Sequence, residues 1–128
     1  MVLENILRGH LKCPKCGSED QIWGDNYIEC RSCSEKIKIK NTIPRYVDGA
    51  YHSNFGLQWN KFSTVQLDSF NGSDESDKRL KTQSKLRPDD FVGKTILEVG
   101  AGNGRFTEIF LKFGAKVIAV DYSSAIDA

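Results

Sequence analysis

Four cysteines constrain this chain more than any other feature. They stand as Cys13-Pro-Lys-Cys16 and Cys30-Arg-Ser-Cys33, with residues 17–29 between the pairs and no other cysteine in the 128 residues. The opening "MVLENILRGHLKC" lacks the basic n-region, long apolar core and small-residue cleavage site of a secretory signal, which places the chain in the cytoplasm. In a reducing compartment two Cys-x-x-Cys pairs point to thiolate ligands more than to disulfides. Each pair folds as a knuckle that turns two sulfurs to one side, and two knuckles complete a tetrahedral S4 set. Zn2+ is the expected ion, with Cys13, Cys16, Cys30 and Cys33 as its ligands. An iron site of the same geometry and a redox pair are the alternatives. Four thiolates leave no open coordination position, so the metal is expected to be structural. His10 and His52 are then not needed as ligands.

Around the cysteines the pattern is that of short strands. "QIWGDNYIEC" reads as two extended pieces joined at Gly24-Asp25-Asn26, and "EKIKIKNTIPRYV" alternates Ile37 and Ile39 with Lys36, Lys38 and Lys40, the period of a half-exposed strand. Together these make a zinc ribbon over residues 1–47, too small to bury much apolar surface without its metal. The lysines and Arg31 have two readings, a nucleic-acid patch or, preferred here, the ordinary protection of an exposed or edge strand against pairing.

Residues 48–72 change character. Tyr51, Phe55, Trp59, Phe62 and Phe70 crowd a polar stretch, and 55, 59 and 62 fall on one face of a short helix. They are expected to dock the ribbon onto the domain C-terminal to them; a lid over a bound ligand is the other reading. From residue 73, "SDESDKRLKTQSKL" runs from acids to bases as a helix dipole prefers, with Ser73 or Asp74 available as N-cap and Pro88 beyond its end.

The last stretch carries the chemistry. "KTILEV" reads as a buried parallel strand, and Gly100, Gly102 and Gly104 come after it at alternate positions. Phe106, Ile109, Phe110 and Phe113 then give a helix its apolar face, Gly114 caps it, and "AKVIAVD" is a second buried strand ending in Asp121. Strand, glycine loop, helix, strand and acid form a βαβ unit with its ligand site at the strand ends. Asp121 stands where a carboxylate accepts hydrogen bonds from the hydroxyls of an adenosine ribose. The dinucleotide fingerprint needs glycine at position 105, and Arg105 is there instead. Glu98 at the strand end repels a pyrophosphate but suits a ligand carrying an ammonium and a sulfonium.

On these residues two resemblances rest. "LKCPKCGSEDQIWGDNYIECRSCSEKIKIKNTIPRYV" is similar to the small zinc ribbon related to the activator subunit of certain tRNA and protein methyltransferases. "GKTILEVGAGNGRF" and "VDYS" resemble motifs I and II of class I S-adenosylmethionine-dependent methyltransferases, and with "FGLQWNKFSTVQLDS" the chain looks like a bacterial group of these enzymes that carries the ribbon at its N-terminus. The fold this implies is α/β: a zinc ribbon, then residues 73–128 as the first βαβ unit of an incomplete Rossmann-like sheet. The resemblance further implies that Glu98, Gly100, Ala101, Gly102 and Gly104 line S-adenosylmethionine, that Asp121 holds its ribose and that Tyr122 packs beside the ribose or adenine.

No residue stands out as a catalytic base. The strands that would shape an acceptor pocket are not in this stretch, so the chain reads as an N-terminal fragment that is itself inactive. A small-molecule acceptor comes first, with RNA or protein as alternatives, and a binding module without catalysis or a nucleotide-dependent oxidoreductase are the competing functions. Net charge of +1 gives no global field to attract nucleic acid, and no apolar run reaches the roughly 20 residues of a membrane span.

Overall fold

The computed structural model describes residues 2–47 and 53–128, so Tyr51 and His52 lie outside the described residues. The chain divides into two compact units, Met1–Asp48 and Gly49–Ala128.

In the first unit a short helix α1 (Val2–Leu7) precedes four strands, β1 (Gln21–Trp23), β2 (Tyr27–Cys30), β3 (Lys36–Lys40) and β4 (Ile43–Arg45). They form one antiparallel sheet in the order β1-β2-β3-β4. The alternation of Ile and Lys along β3 is realised as expected. Ile37 and Ile39 turn inward onto fully buried Ile28, with Trp23 packed against them, while the three lysines face out. Beyond this alternation the chain reverses at Asn41-Thr42, a turn the pattern of "EKIKIKNTIPRYV" does not mark. Both residues take left-handed backbone (φ 52° and 63°), the requirement of a tight two-residue hairpin.

The second unit runs α2 (Ser53–Lys61), α3 (Asp68–Asn71), α4 (Glu75–Ser84), a 3-10 turn at Pro88–Asp90, β5 (Thr95–Val99), α5 (Thr107–Lys112), β6 (Lys116–Val120) and a 3-10 turn at Ser124–Asp127. β5 and β6 are parallel, in register from Thr95↔Lys116 to Val99↔Val120, with α5 as the crossover. The apolar face of α5 supplies the core. Ile109 and Phe113 are buried with Phe91 and Ala115, and Leu80, Ile96, Phe110 and Val117 close around them. Full burial of each large side chain stabilises by roughly 1.5–3 kcal/mol. Gly114 ends the helix as expected, at φ 80°. Its N–H donates to the Leu111 carbonyl and that of Ala115 to Phe110, the paired bonds of a Schellman cap.

Two expectations change. The apolar runs predict buried strands, but Leu97 (64% exposed) and Val99 (77%) lie bare, because α5 packs only on the face that carries Ile96. The cap of α4 comes from neither Ser73 nor the side chain of Asp74. Asp74 sits at φ −127°, ψ 22°, away from the extended geometry a capping side chain needs, and pairs with Lys78 at 2.8 Å. Asp68, on α3, accepts instead from the N–H groups of Ser76 and Asp77 at 3.0–3.1 Å.

Candidate functional site

The cysteines converge. Both knuckles use the same backbone plan: the N–H four residues after the first cysteine donates to that cysteine's carbonyl (Gly17 to Cys13, Ser34 to Cys30, each 2.8 Å). The cysteine's own N–H donates to the carbonyl five residues on (Ser18 at 2.8 Å, Glu35 at 2.9 Å). The position after each second cysteine is left-handed, Gly17 at φ 74° and Ser34 at φ 60°. The four sulfurs lie within 4.8 Å of one another, with Cys13 and Cys33 at 3.5 Å and Cys16 and Cys30 at 3.6 Å. Those separations are too long for disulfides, and the cysteines are free. They match the edge of a tetrahedron with Zn–S bonds of 2.3 Å, about 3.8 Å.

Electrostatics agree with the geometry. Burial disfavours the Cys30 thiolate, yet the Cys33 and Ser32 N–H groups directed at its sulfur outweigh it and bring the thiol down to about 7. The Glu35 N–H favours the Cys33 thiolate, but burial and the three neighbouring sulfurs push this thiol up to about 12. Four thiolates this close cannot all ionise without a cation among them. The cluster can hold a metal such as zinc, and its four sulfurs close the coordination shell.

The glycine loop sits at the carboxyl ends of β5 and β6. Gly100 and Ala101 both donate to the Val120 carbonyl (2.8 and 3.1 Å), which pins the loop to the end of the neighbouring strand. Gly100, Gly102 and Gly104 take φ of 75°, 58° and 89°, a region costly for side-chain-bearing residues, and a Cβ built on Gly100 or Gly102 meets open space. A ligand can therefore reach the backbone there. Asp121 accepts from the Gly102 N–H at 2.8 Å through one oxygen and from the Ser123 N–H and hydroxyl at 2.8 and 2.7 Å through the other. The carboxylate is thus engaged by three donors of its own chain.

Glu98 is half-buried at the end of β5. Burial raises its carboxyl above the usual range, partly offset by the Thr107 hydroxyl that donates to it from the start of α5. Ala101 is buried and Tyr122 is 54% exposed. Thus Glu98, Gly100, Ala101, Gly102, Gly104 and Asp121 occupy one loop and the two strand ends that carry it.

Three side chains join the loop without any signal in the sequence. Thr107 tethers Glu98, Asn103 donates to the Ser63 carbonyl at 2.6 Å, and Arg105 donates to the fully buried Ser76 hydroxyl at 2.9 Å while its guanidinium stacks on Phe106 at 5.3 Å. Arg105 thus braces the loop against α4. No spacing rule marks such contacts, because their partners are remote in sequence.

Comparison with protein-family models, curated proteins and solved structures found no match for this chain.

Proposed function

We propose that this chain carries the cofactor-gripping part of a class I S-adenosylmethionine-dependent methyltransferase, preceded by a structural zinc ribbon. The observation that carries the reading is the loop itself. Three left-handed glycines follow the end of a parallel strand, the backbone is open at Gly100 and Gly102, and the Gly102 N–H ties the loop to a carboxylate at the end of the next strand. Gly100, Gly102 and Gly104 admit the cofactor to the main chain, Asp121 faces its ribose, and Glu98 supplies negative potential toward its cationic end. The cofactor brings an electrophilic methyl group on a sulfonium; this chain contributes binding and alignment.

The bare Leu97 and Val99 support a Rossmann-like sheet covered on its second face as well, since parallel sheets are normally covered on both faces. A nicotinamide dinucleotide suits the loop less well. Arg105 replaces the glycine that lets helix and pyrophosphate approach, and α5 has only six residues.

Calorimetric titration of the zinc-loaded chain with S-adenosylhomocysteine tests the proposal. Saturable binding in the wild type, lost in Gly102→Val with an unchanged circular dichroism spectrum, is the expected result. Absence of heat with a folded, metal-loaded wild type overturns it.

A further inference from the structure

We infer that the outer face of the ribbon sheet is a binding surface for a single-stranded nucleic acid, centred on Lys38 and reading outward to Tyr27, Lys40, Arg45 and Tyr46. Alternating lysines ordinarily mark an exposed or edge strand; β3 is no edge, because β2 pairs with one side of it and β4 with the other, and its lysines stand on the exposed face of the sheet. The lysines therefore guard no free backbone.

The antiparallel register shows what they do form. Tyr27 on β2 and Arg45 on β4 both lie directly opposite Lys38, so an aromatic ring and two cations make one row across three strands on a single face. Along β3, Lys36, Lys38 and Lys40 repeat every second residue, roughly 6.8 Å apart. That spacing is comparable to the phosphate repeat of an extended single strand. Beside the row, Lys38, Arg45, Tyr46 and Val47 line a shallow, open depression of about 270 Å³, with Tyr46 42% and Tyr27 45% exposed.

The distribution of acids sharpens the face. Lys12, Lys15 and Arg31 are matched to Glu19, Glu35 and Asp20 at 3.0, 3.4 and 3.8 Å. On the outer face Glu29 is matched to Lys36 at 3.5 Å, and Lys36 also lies over the Tyr27 ring at 4.8 Å. Lys38 and Lys40 form no ion pair among the described residues. Cations interleaved with exposed tyrosines on a shallow, open surface fit a polyanion whose units also stack, which is what a single strand offers and an acidic peptide does not. This inference rests on the ribbon alone and holds whatever the glycine loop binds.

Fluorescence anisotropy with a short labelled oligouridylate tests it on the zinc-loaded chain. Lys38→Ala with Lys40→Ala should weaken binding at least tenfold and lower the slope of log affinity against log salt by about 1.4, the share of two lost phosphate contacts. Tyr46→Ala should weaken binding without changing that slope, and Lys12→Ala should leave binding intact. The inference is overturned if wild type does not bind, if the lysine pair binds as tightly as wild type, or if polyglutamate competes as well as unlabelled oligouridylate. The last outcome would make the surface a docking site for acidic protein.

Discussion

Single residues carry more of this fold than their types suggest. Asp68 accepts from two backbone N–H groups at the start of α4, that of Ser76 shared between both its oxygens and that of Asp77, and although burial opposes its ionised form, those N–H groups win and hold its carboxyl below the usual range. Asp77 is lowered by Lys81 and Lys112, against the opposing effect of burial. For both, the stabilisation is fully present above the unfolded value near 3.8 and is lost as pH falls through the lower folded value. Glu98 has the opposite sign: its raised carboxyl favours folding below its unfolded value near 4.5, and that contribution disappears as pH rises through the folded value. Asp68→Ala should cost about 1 kcal/mol at neutral pH by loss of the cap, and the deficit against wild type should shrink toward pH 2 in urea titrations. A deficit independent of pH would mean that the carboxylate is not the cap. Gly56 makes a different point. A Cβ there would lie 1.9 Å from the Ser124 hydroxyl and 3.1 Å from the Ser124 backbone nitrogen, so Gly56→Ala should lower the stability of the second unit by roughly 1–3 kcal/mol in urea unfolding.

At the scale of elements, the ribbon is a sheet with three buried isoleucines and a half-buried tryptophan, too little apolar surface to hold four short strands. A metal held by the four sulfurs would close it. Excess chelator should abolish the slow amide exchange of β2 and β3 while leaving that of β5 and β6 in place, and unchanged exchange in β2 would show that the sheet does not depend on a metal. The two knuckles add a finer expectation. Gly17→Ala should destabilise the ribbon by roughly 1 kcal/mol, and Ser34→Gly, which relieves the same left-handed strain, should raise its chelator-resistant midpoint. Much of this is legible in the sequence. Cysteine spacing announces the knuckles, the Ile-Lys alternation announces β3, and the apolar spacing from Phe106 to Phe113 announces α5. The β3–β4 reversal is hidden because Thr42, a β-branched residue, rarely takes positive φ, so "NTI" does not look like a turn. The cap of α4 is hidden because Asp68 belongs to a neighbouring helix. Glycines 100, 102 and 104 are readable as a loop from their spacing, but the braces from Thr107, Asn103 and Arg105 exist only once the chain is folded.

On the scale of the whole molecule, two units with separate cores bring two kinds of chemistry into one chain. The first has a metal-closing cluster of sulfurs, the second an open glycine loop between parallel strand ends. No described helix is long and apolar enough to cross a membrane. The exposed Leu97 and Val99 leave the parallel pair bare on one face. In the proposed function the glycine loop takes the adenosyl cofactor of methyl transfer. Backbone amide chemical shifts of the zinc-loaded chain, followed during addition of S-adenosylhomocysteine and separately of NADH, test it where the binding would occur. Saturable shifts at Gly100, Gly102, Gly104 and Tyr122 with S-adenosylhomocysteine, and none at these amides with NADH, are predicted. Equal response to NADH, or S-adenosylhomocysteine shifts confined to residues outside the loop and the end of β6, would contradict the account.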